Sequence, residues 1–317
     1  MKTTVSPTVA PNGKQAASPS RPSRKRRVHP IIIYPYQQPR SYDNLQHLYD
    51  LVAKLKDNPA TYATPVTVVD CKTLESNQGH KAFNTFHQQT VQQCSHVIHA
   101  WCVDTCQMWY TGLGHAAQQG QPGDVYWIIP GDFDYGSHTG KAVLSQLHDL
   151  PEICQELQQD ICVGEIATDH SHSKQLIDTY GTFALLYNWF PAEGREIRQY
   201  TERPRSEFIA LHHDFLCQML QQRWYAYEQT VVLLLQAVFA RRRISRFFVG
   251  HVSDLPQGSD SLSSALQQIE RTERVLKSVW RERHEKQAGW IDRYRTLESQ
   301  SDQIVRAASV ILQNLLG

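Results

Sequence analysis

The strongest constraint on the fold is a repeated pattern: short, wholly apolar runs rich in β-branched residues alternate with stretches of helical periodicity. HPIIIYPY is the first such run, PVTVVDCKT the second and HVIHAW the third, followed by VYWIIPGDFD and DICVGEI. A compact apolar run without polar alternation fits a strand covered on both faces. Between the first two lies 44–55, which sets Leu45, Leu48, Leu51, Val52 and Leu55 on one helical face, with Asp43 placed to cap it. Segments 109–119 and 141–148 read as helices in the later gaps. Strands alternating with helices predict an α/β domain, a Rossmann-like, mostly parallel mixed sheet flanked by helices.

The second half is less regular. Segment 173–189 has helical character and stops before Pro191; EFIALHHDFLCQML reads as a strand running into a helix. Segment 224–240 predicts a strongly apolar helix with Arg241, Arg242 and Arg243 at its C-terminal end, where the dipole favours them. ISRFFVGHV is one more strand. From Leu262 the pattern is helical to the end, through Leu266, Ile269, Leu276, Trp280, Ile304, Ala308, Ile311 and Leu315, with Gly289 as a break. This extension either packs back on the core or pairs with a second subunit as a homo-oligomer; both readings stay open. The expected organisation is a disordered basic tail over 1–27, an α/β domain over 28–256 and a helical C-terminal extension over 257–317.

Charge narrows the function classes. The first 28 residues hold seven Lys and Arg and no acid, leaving 25 basic against 31 acidic residues in the remainder. That mildly acidic body argues against a stable nucleic-acid partner, since phosphate neutralisation needs clustered Lys and Arg. It suits a site that gathers a metal ion. The tail, rich in Ser, Pro and Thr, reads as solvated, although its SRKRR run could touch acidic lipid or nucleic acid. The longest apolar run, 231–240, is interrupted by Gln236 and too short to cross a bilayer. With no basic-then-apolar leader at the start, a cytoplasmic location is expected. The seven cysteines form no CxxC and read as free thiols.

The most informative segment is GDVYWIIPGDFDYGS. An apolar strand delivers Asp132 and Asp134, one residue apart, between Gly131 and Gly136. In open α/β sheets ligands bind beyond the carboxyl ends of the strands, where this pair would stand. Two close carboxylates repel each other unless a cation lies between them. Mn2+ or Mg2+ takes such oxygen ligands and lets substrate phosphate complete the shell. Asp70, ending PVTVVDCKT, either accepts hydrogen bonds from a base or ribose or caps a helix or turn.

Taken in order, the pieces resemble the family-2-like glycosyltransferases of the GT-A fold. HPIIIYPYQQPRSYDNLQHL is similar to their opening strand, loop and Leu-rich helix, and PVTVVDCKT to a second strand ending in Asp. GLGHAAQQGQPGDVYWIIPGDFDY resembles their helix, Gly-Asp turn and strand ending in D-x-D. DICVGEI, RSEFIALHHDFLCQML and WYAYEQTVVLLLQAVFARRRISRFFVG follow in the expected order, so the likeness spans roughly 28–254. The resemblance implies a UDP- or GDP-sugar donor and a divalent metal, Mn2+ or Mg2+. It assigns Asp132 and Asp134 to metal and diphosphate, Asp70 to base or ribose, and Tyr34, Pro35 and Tyr36, with Gly131, to the nucleotide pocket. His251 stands where some relatives place a further metal ligand. Glu207 and Glu228 fall on the acceptor side. Glu228 is a candidate general base, or else a residue that opens a helix and gains from its dipole.

The acceptor implied is a small soluble molecule, of the glycerate or phosphoglycerate kind given the YPY opening and FALL before a Pro-rich bend, or a lipid phosphate met peripherally at a membrane. Several positions depart from the family pattern. Gln37-Gln38 replaces Asn-Glu, Asp70-Cys71 replaces a pair of aspartates, and GEIATDHSHSKQL is unusual, its His170 and His172 reading as a polar loop at the acceptor mouth. These departures leave a second reading: a non-catalytic binding or scaffold protein that acts through its helical C-terminus.

Overall fold

The computed structural model describes residues 26–34, 43–101, 105–167, 176–225, 228–252 and 262–316. Seven strands, β1 (Val28–Tyr34), β2 (Val66–Asp70), β3 (His96–Ala100), β4 (Val125–Pro130), β5 (Ile161–Ala167), β6 (Ile209–His212) and β7 (Ile244–His251), form one sheet in the order β3-β2-β1-β4-β6-β5-β7. β6 runs antiparallel to β4 and β5, and every other neighbouring pair is parallel. Six strands therefore end on one edge of the sheet, and β6 begins there.

Side chains alternate across the sheet, so each strand feeds two cores. Ile31 and Ile33 of β1 join Tyr126 and Ile128 of β4 on one face. Ile32, Tyr34, Trp127 and Ile129 point to the other. The second face is covered by α1 (Asp43–Lys56), whose Leu45, Leu48, Val52 and Leu55 are buried. After β2 come α2 (Cys71–Ser76) and α3 (Lys81–Phe86), which passes through a π-helical turn, His87–Val91, into α4 (Gln92–Cys94). α5 (Thr105–Gln119) lies on the first face through Trp109, Leu113 and Ala116. Its Gly112 permits the close approach, because a Cβ there would sit 2.6 Å from Ile31 Cγ2 and 2.8 Å from Val68 Cγ2. α6 (His138–Gln146) and α7 (Asp149–Glu156) complete the second face with Val143, Leu147, Leu150 and Cys154.

Between β5 and β6 a π-helical segment, Ile177–Phe183, leads into α8 (Ala184–Trp189) and then α9 (Pro191–Tyr200). Pro191 does stop the helix before it, but it also opens the next, since its missing N–H costs nothing in a first turn. α10 (His213–Leu220) follows β6. The apolar helix α11 (Gln229–Phe239) starts at Gln229, not at 224: residues 223–225 are non-helical, and Trp224 Nε1 donates to Met219 O (2.9 Å) at the end of α10 instead.

The C-terminal extension is a pair of helices, α12 (Leu262–His284) and α13 (Trp290–Leu316), with Gly289 at φ +68° before the second. Among the expected alternatives, it packs back: Ile269, Leu276, Val279, Trp280, Ala308 and Leu312 share the first-face core with the sheet. Trp189 Nε1 donates to Ser301 Oγ (3.1 Å), and Ser301 Oγ donates to Glu273 Oε1 (2.6 Å), a buried chain linking α8, α13 and α12. No helix among the described residues is long and apolar enough to cross a membrane. Cys71, Cys94, Cys154, Cys162 and Cys217 are free thiols. Residues 1–25 of the expected tail lie outside the described residues, but placed chain begins ahead of Val28. The Arg27 amide donates to Asp124 Oδ1 (2.8 Å), which sets the entry to β1 against the entry to β4.

Candidate functional site

The strand register gathers the expected site residues on one edge. Tyr34 stands opposite Val69, and Ile33 opposite Pro130, so β1, β2 and β4 end nearly level. Asp70 closes β2 opposite Ala100, and His251 closes β7 opposite Ala167. Glu207 precedes β6, which enters the sheet at this edge because it runs the other way. Pro35, Tyr36, His170 and His172 lie outside the described residues.

The Asp-x-Asp loop is locked from both sides. As the chain leaves β4, Gly131 N donates to Ile33 O at 2.7 Å, and a Cβ at Gly131 would lie 2.6 Å from that same carbonyl. No other residue fits there without moving β1 or β4. Phe133 and Tyr135 turn into the second core, with Phe133 against Phe208 at 4.9 Å, while Asp132 and Asp134, which alternate with them, are half-buried.

Asp134 Oδ1 accepts the amides of Gly136 and Ser137, both at 3.1 Å, in a side-chain turn. Ser137 Oγ donates to Asp134 O (3.0 Å) and accepts the Gly140 amide (3.0 Å), which caps α6. Tyr135 is fully buried and its hydroxyl donates to Pro130 O at 2.7 Å. Burial pushes this phenol well above its ordinary pKa, and the negative charges of Asp132 and Glu207 push it further. Asp132 and Glu207 therefore both lie within electrostatic reach of this phenol. Carboxylate oxygens such as those of Asp132 and Asp134 are the hard ligands that Mn2+ or Mg2+ prefers.

Other expected residues take different positions. Asp70 caps α2: its Oδ1 accepts the Thr73 amide at 2.5 Å and the residue is 1% exposed. Burial raises its carboxyl pKa against the opposing hydrogen bonds from Thr73 and Lys72. Tyr34 is buried in the second core, 6.2 Å from the Phe86 ring. His251 is exposed, edge-on to Phe248 at 6.0 Å, and a bulge precedes it, since Glu165 pairs with Phe248 but Ile166 with Gly250. Gly250, at φ +121°, supplies a backbone that other residues rarely adopt, and the bulge re-aims His251 at the strand end. Among the described residues one His/carboxylate trio, His148, Asp149 and Glu152, has its ligand atoms within 4.8 Å of one another. It lies at the opposite edge, where the Tyr62 hydroxyl donates to Glu152 beside the start of β1.

Glu228 is 1% exposed, and its Oε1 accepts from Arg271 Nε of α12 at 3.2 Å. Burial raises its pKa, opposed by Arg271 and then by Arg205. It belongs to a charge cluster absent from the sequence reading. Arg205 Nε donates to Asp178 Oδ1 (2.8 Å), Arg203 Nε is 3.7 Å from Asp178, and Arg203 Nη1 donates to Ile166 O (3.1 Å) at the end of β5. No local pattern announces contacts between residues this far apart in sequence; only the run ERPRSE before an apolar strand hinted at charge near this edge.

Comparison of the sequence finds no matching family model and no matching curated protein. Comparison of the structure does find chains of similar fold. Glucosyl-3-phosphoglycerate synthase from Mycobacterium tuberculosis, solved with Mn2+, UDP and phosphoglyceric acid, superposes with a TM-score of 0.52 at 12% identity, over 78% of each chain. The same enzyme solved with Mn2+, UDP-glucose and phosphoglyceric acid gives 0.51 at 12% identity, over 78% of this chain and 80% of that one. A further mycobacterial protein gives 0.53 at 11% identity, over 78% and 75%. This chain, a mixed seven-stranded sheet between helices, shares its α/β fold with glucosyl-3-phosphoglycerate synthase.

Proposed function

We propose that the chain is a metal-dependent glycosyltransferase that moves a hexose from a UDP- or GDP-sugar to a small acceptor bearing phosphate or carboxylate. The observation that carries this reading is the Asp132–Asp134 loop at the strand-end edge, fixed by the Gly131–Ile33 hydrogen bond and by the amides that Asp134 accepts, with both aspartates half-buried. The neighbours of the same fold bind Mn2+, UDP-glucose and phosphoglyceric acid, which supports the choice of donor, metal and acceptor class.

Asp132 and Asp134 would hold Mn2+ or Mg2+, which when bound offsets the charge developing on the departing diphosphate. The amides of Gly136 and Ser137 fix Asp134 in one orientation, so the carboxylate needs no reorganisation when the donor arrives. Glu207, half-buried at the edge where β6 begins and within electrostatic reach of Tyr135, is the better-placed acceptor-side group of the two considered. It would take the proton of the attacking hydroxyl as general base. Glu228 is sealed from solvent against Arg271 and serves instead in positioning. His251, exposed at the end of β7, borders the same edge and could complete a metal shell only after moving toward it. Asp70, as the cap of α2, would act on the nucleotide by shaping the floor of the pocket rather than by offering a free carboxylate.

The test is a thermal-shift panel of UDP, GDP and their sugars with and without Mn2+, because a ligand that binds only the native state raises its melting temperature. Metal-dependent stabilisation by one nucleotide, lost in Asp132→Ala and Asp134→Ala, is the expected result. Indifference of the wild type to every nucleotide overturns the reading in favour of a scaffold acting through α12 and α13.

A further inference from the structure

The segment that delivers Glu207 to the edge is gripped from two directions. On the sheet side, Arg203 Nη1 donates to Ile166 O (3.1 Å) and Ser206 Oγ to Gly164 O (2.5 Å), both carbonyls of β5. On the other side stand the π-helical segment and the C-terminal extension. Arg205 divides its guanidinium between Asp178 Oδ1 (2.8 Å) and Gln268 Oε1 of α12 (2.6 Å). One turn further along α12, Arg271 reaches the buried Glu228. Gln268 and Arg271 are three residues apart and so share a helix face.

Glu228 makes this arrangement more than a surface staple. It is 1% exposed, and its Oε2 has no hydrogen-bond partner among the described residues. A carboxylate sealed from water holds its charge only beside fixed cations. Here those are Arg271, by direct contact, and Arg205, through space. Arg205 is thus tied at once to Asp178, to α12 and to the field of Glu228, two residues before Glu207. A shift of α12 away from the sheet would strip Glu228 of its contact cation and draw Arg205 into its place, moving the segment that leads to Glu207.

We propose that Arg205, Glu228 and Arg271 are positioning residues, through which the C-terminal helix α12 sets where Glu207 stands relative to Asp132. The consequence for catalysis rests on the transferase reading above; the mechanical coupling of α12 to residues 203–207 does not. The C-terminal pair is then a working part of the site.

The experiment uses the full chain and three variants: Arg271→Met, Arg271→Lys, and the double variant Glu228→Gln/Arg271→Met, which leaves no buried charge unpaired and so guards against simple failure to fold. Hydrogen exchange by mass spectrometry reads the amides of 202, 206 and 208, which donate to Glu165 Oε1, Arg203 O and Ser206 Oγ. Initial rates against acceptor concentration at saturating donor read kcat and KM, and calorimetry reads the binding of UDP with Mn2+. Arg271→Met should speed exchange in 202–208 by about tenfold or more while β1 and β2 stay protected, and lower kcat by about tenfold or more with UDP·Mn2+ affinity unchanged, as expected when only a reacting group is misplaced. The double variant, with no carboxylate left to draw Arg205 away, should show a smaller change in both. Arg271→Lys, which restores the charge, should recover most of both effects. Unchanged exchange in 202–208 of Arg271→Met overturns the proposal whether or not transfer is ever observed. So does a fall in kcat fully matched by loss of UDP·Mn2+ binding. A wild type that binds no nucleotide with metal defeats the transferase reading alone, and the exchange data then still decide the coupling.

Discussion

Replacing Gly140 with alanine should damage the site from a position that touches no ligand. A Cβ built there falls 2.0 Å from Asp134 O, 2.8 Å from Tyr135 Cα and 2.9 Å from Asp134 C, all of them backbone atoms. Since no rotamer can relieve a clash with backbone, the Asp134 peptide must retreat by about 1 Å or α6 must lift by as much. Either movement breaks the Ser137 bridge, which joins Asp134 O to the Gly140 amide. Overpacking of this kind costs about 1–3 kcal/mol, and loss of the cap adds about 1 kcal/mol. The better helix propensity of alanine returns at most about 1 kcal/mol. The net loss of about 1–3 kcal/mol corresponds to a Tm lower by about 2–12 °C for a domain of this size. The larger effect falls on function, because a displacement of about 1 Å in a positioned group costs on the order of 100-fold in rate. Gly114→Ala is the matched control: it lies in α5 with nothing within 4 Å of its would-be Cβ. It should raise stability by about 0.4–1 kcal/mol. Thermal melts and UDP·Mn2+ calorimetry on both variants decide the matter. A Gly140→Ala protein that melts with the wild type and binds UDP·Mn2+ equally well refutes the account of how Asp134 is held.

Two further outcomes follow from buried polar groups. Ser301→Ala leaves both the Trp189 indole N–H and Glu273 without their buried partner, and denaturant unfolding should show a loss of about 1–3 kcal/mol; an unchanged midpoint would mean that water replaces the serine. Asp124 is held below the ordinary carboxylate pKa: burial alone would raise it, but hydrogen bonds from His29 and from the Arg27 and Gln121 amides outweigh that. Its contribution is therefore fully present above about pH 4, the unfolded value, and is lost as pH falls through the depressed folded value. Asp124→Asn should lower stability at neutral pH and flatten the acid limb of a stability–pH profile, and a limb of unchanged slope would contradict the assignment.

Much of the sheet was legible because its inner strands are covered on both faces and so read as unbroken apolar runs. β1, β2, β4 and β5 announce themselves in this way, and the two buried faces of α1 and α5 follow from helical spacing. The antiparallel insertion of β6 was not legible: nothing in IALH states its direction, which is fixed by partners more than 40 residues away in β4 and β5. The late start of α11 was hidden by WYAYE, in which Trp224 and Tyr225 pack against the core without being helical. At the site, the Asp-x-Asp loop could be read from strand, glycine and acid in sequence. The behaviour of Asp70 and Glu228 could not. A cap requires knowing that a helix starts at Cys71, and the Glu228 pair requires knowing that α12 folds back across α11. Local pattern reports what a residue is capable of; burial and distant partners select among those uses.

The two edges of the sheet hold their acids in different ways, and the contrast supports the proposed place of the chemistry. At the edge where the strands begin, Asp124 sits on the His29 ring at 2.9 Å, and Asp160 lies 3.4 Å from Arg242 and 3.6 Å from Arg243. Those carboxylates are already engaged by side-chain partners. Near the other edge the same device holds Asp178 and Glu228, on the β5–β6 side, with Arg205 and Arg271. Asp134 is treated differently: two amides and a serine fix its orientation, and amide dipoles orient a carboxylate without cancelling its charge. A protein that needed only a stable loop would lose nothing by placing an arginine there. One that must draw a divalent cation and a diphosphate to a fixed point needs that charge kept and its direction set, and the loop after β4 combines the two.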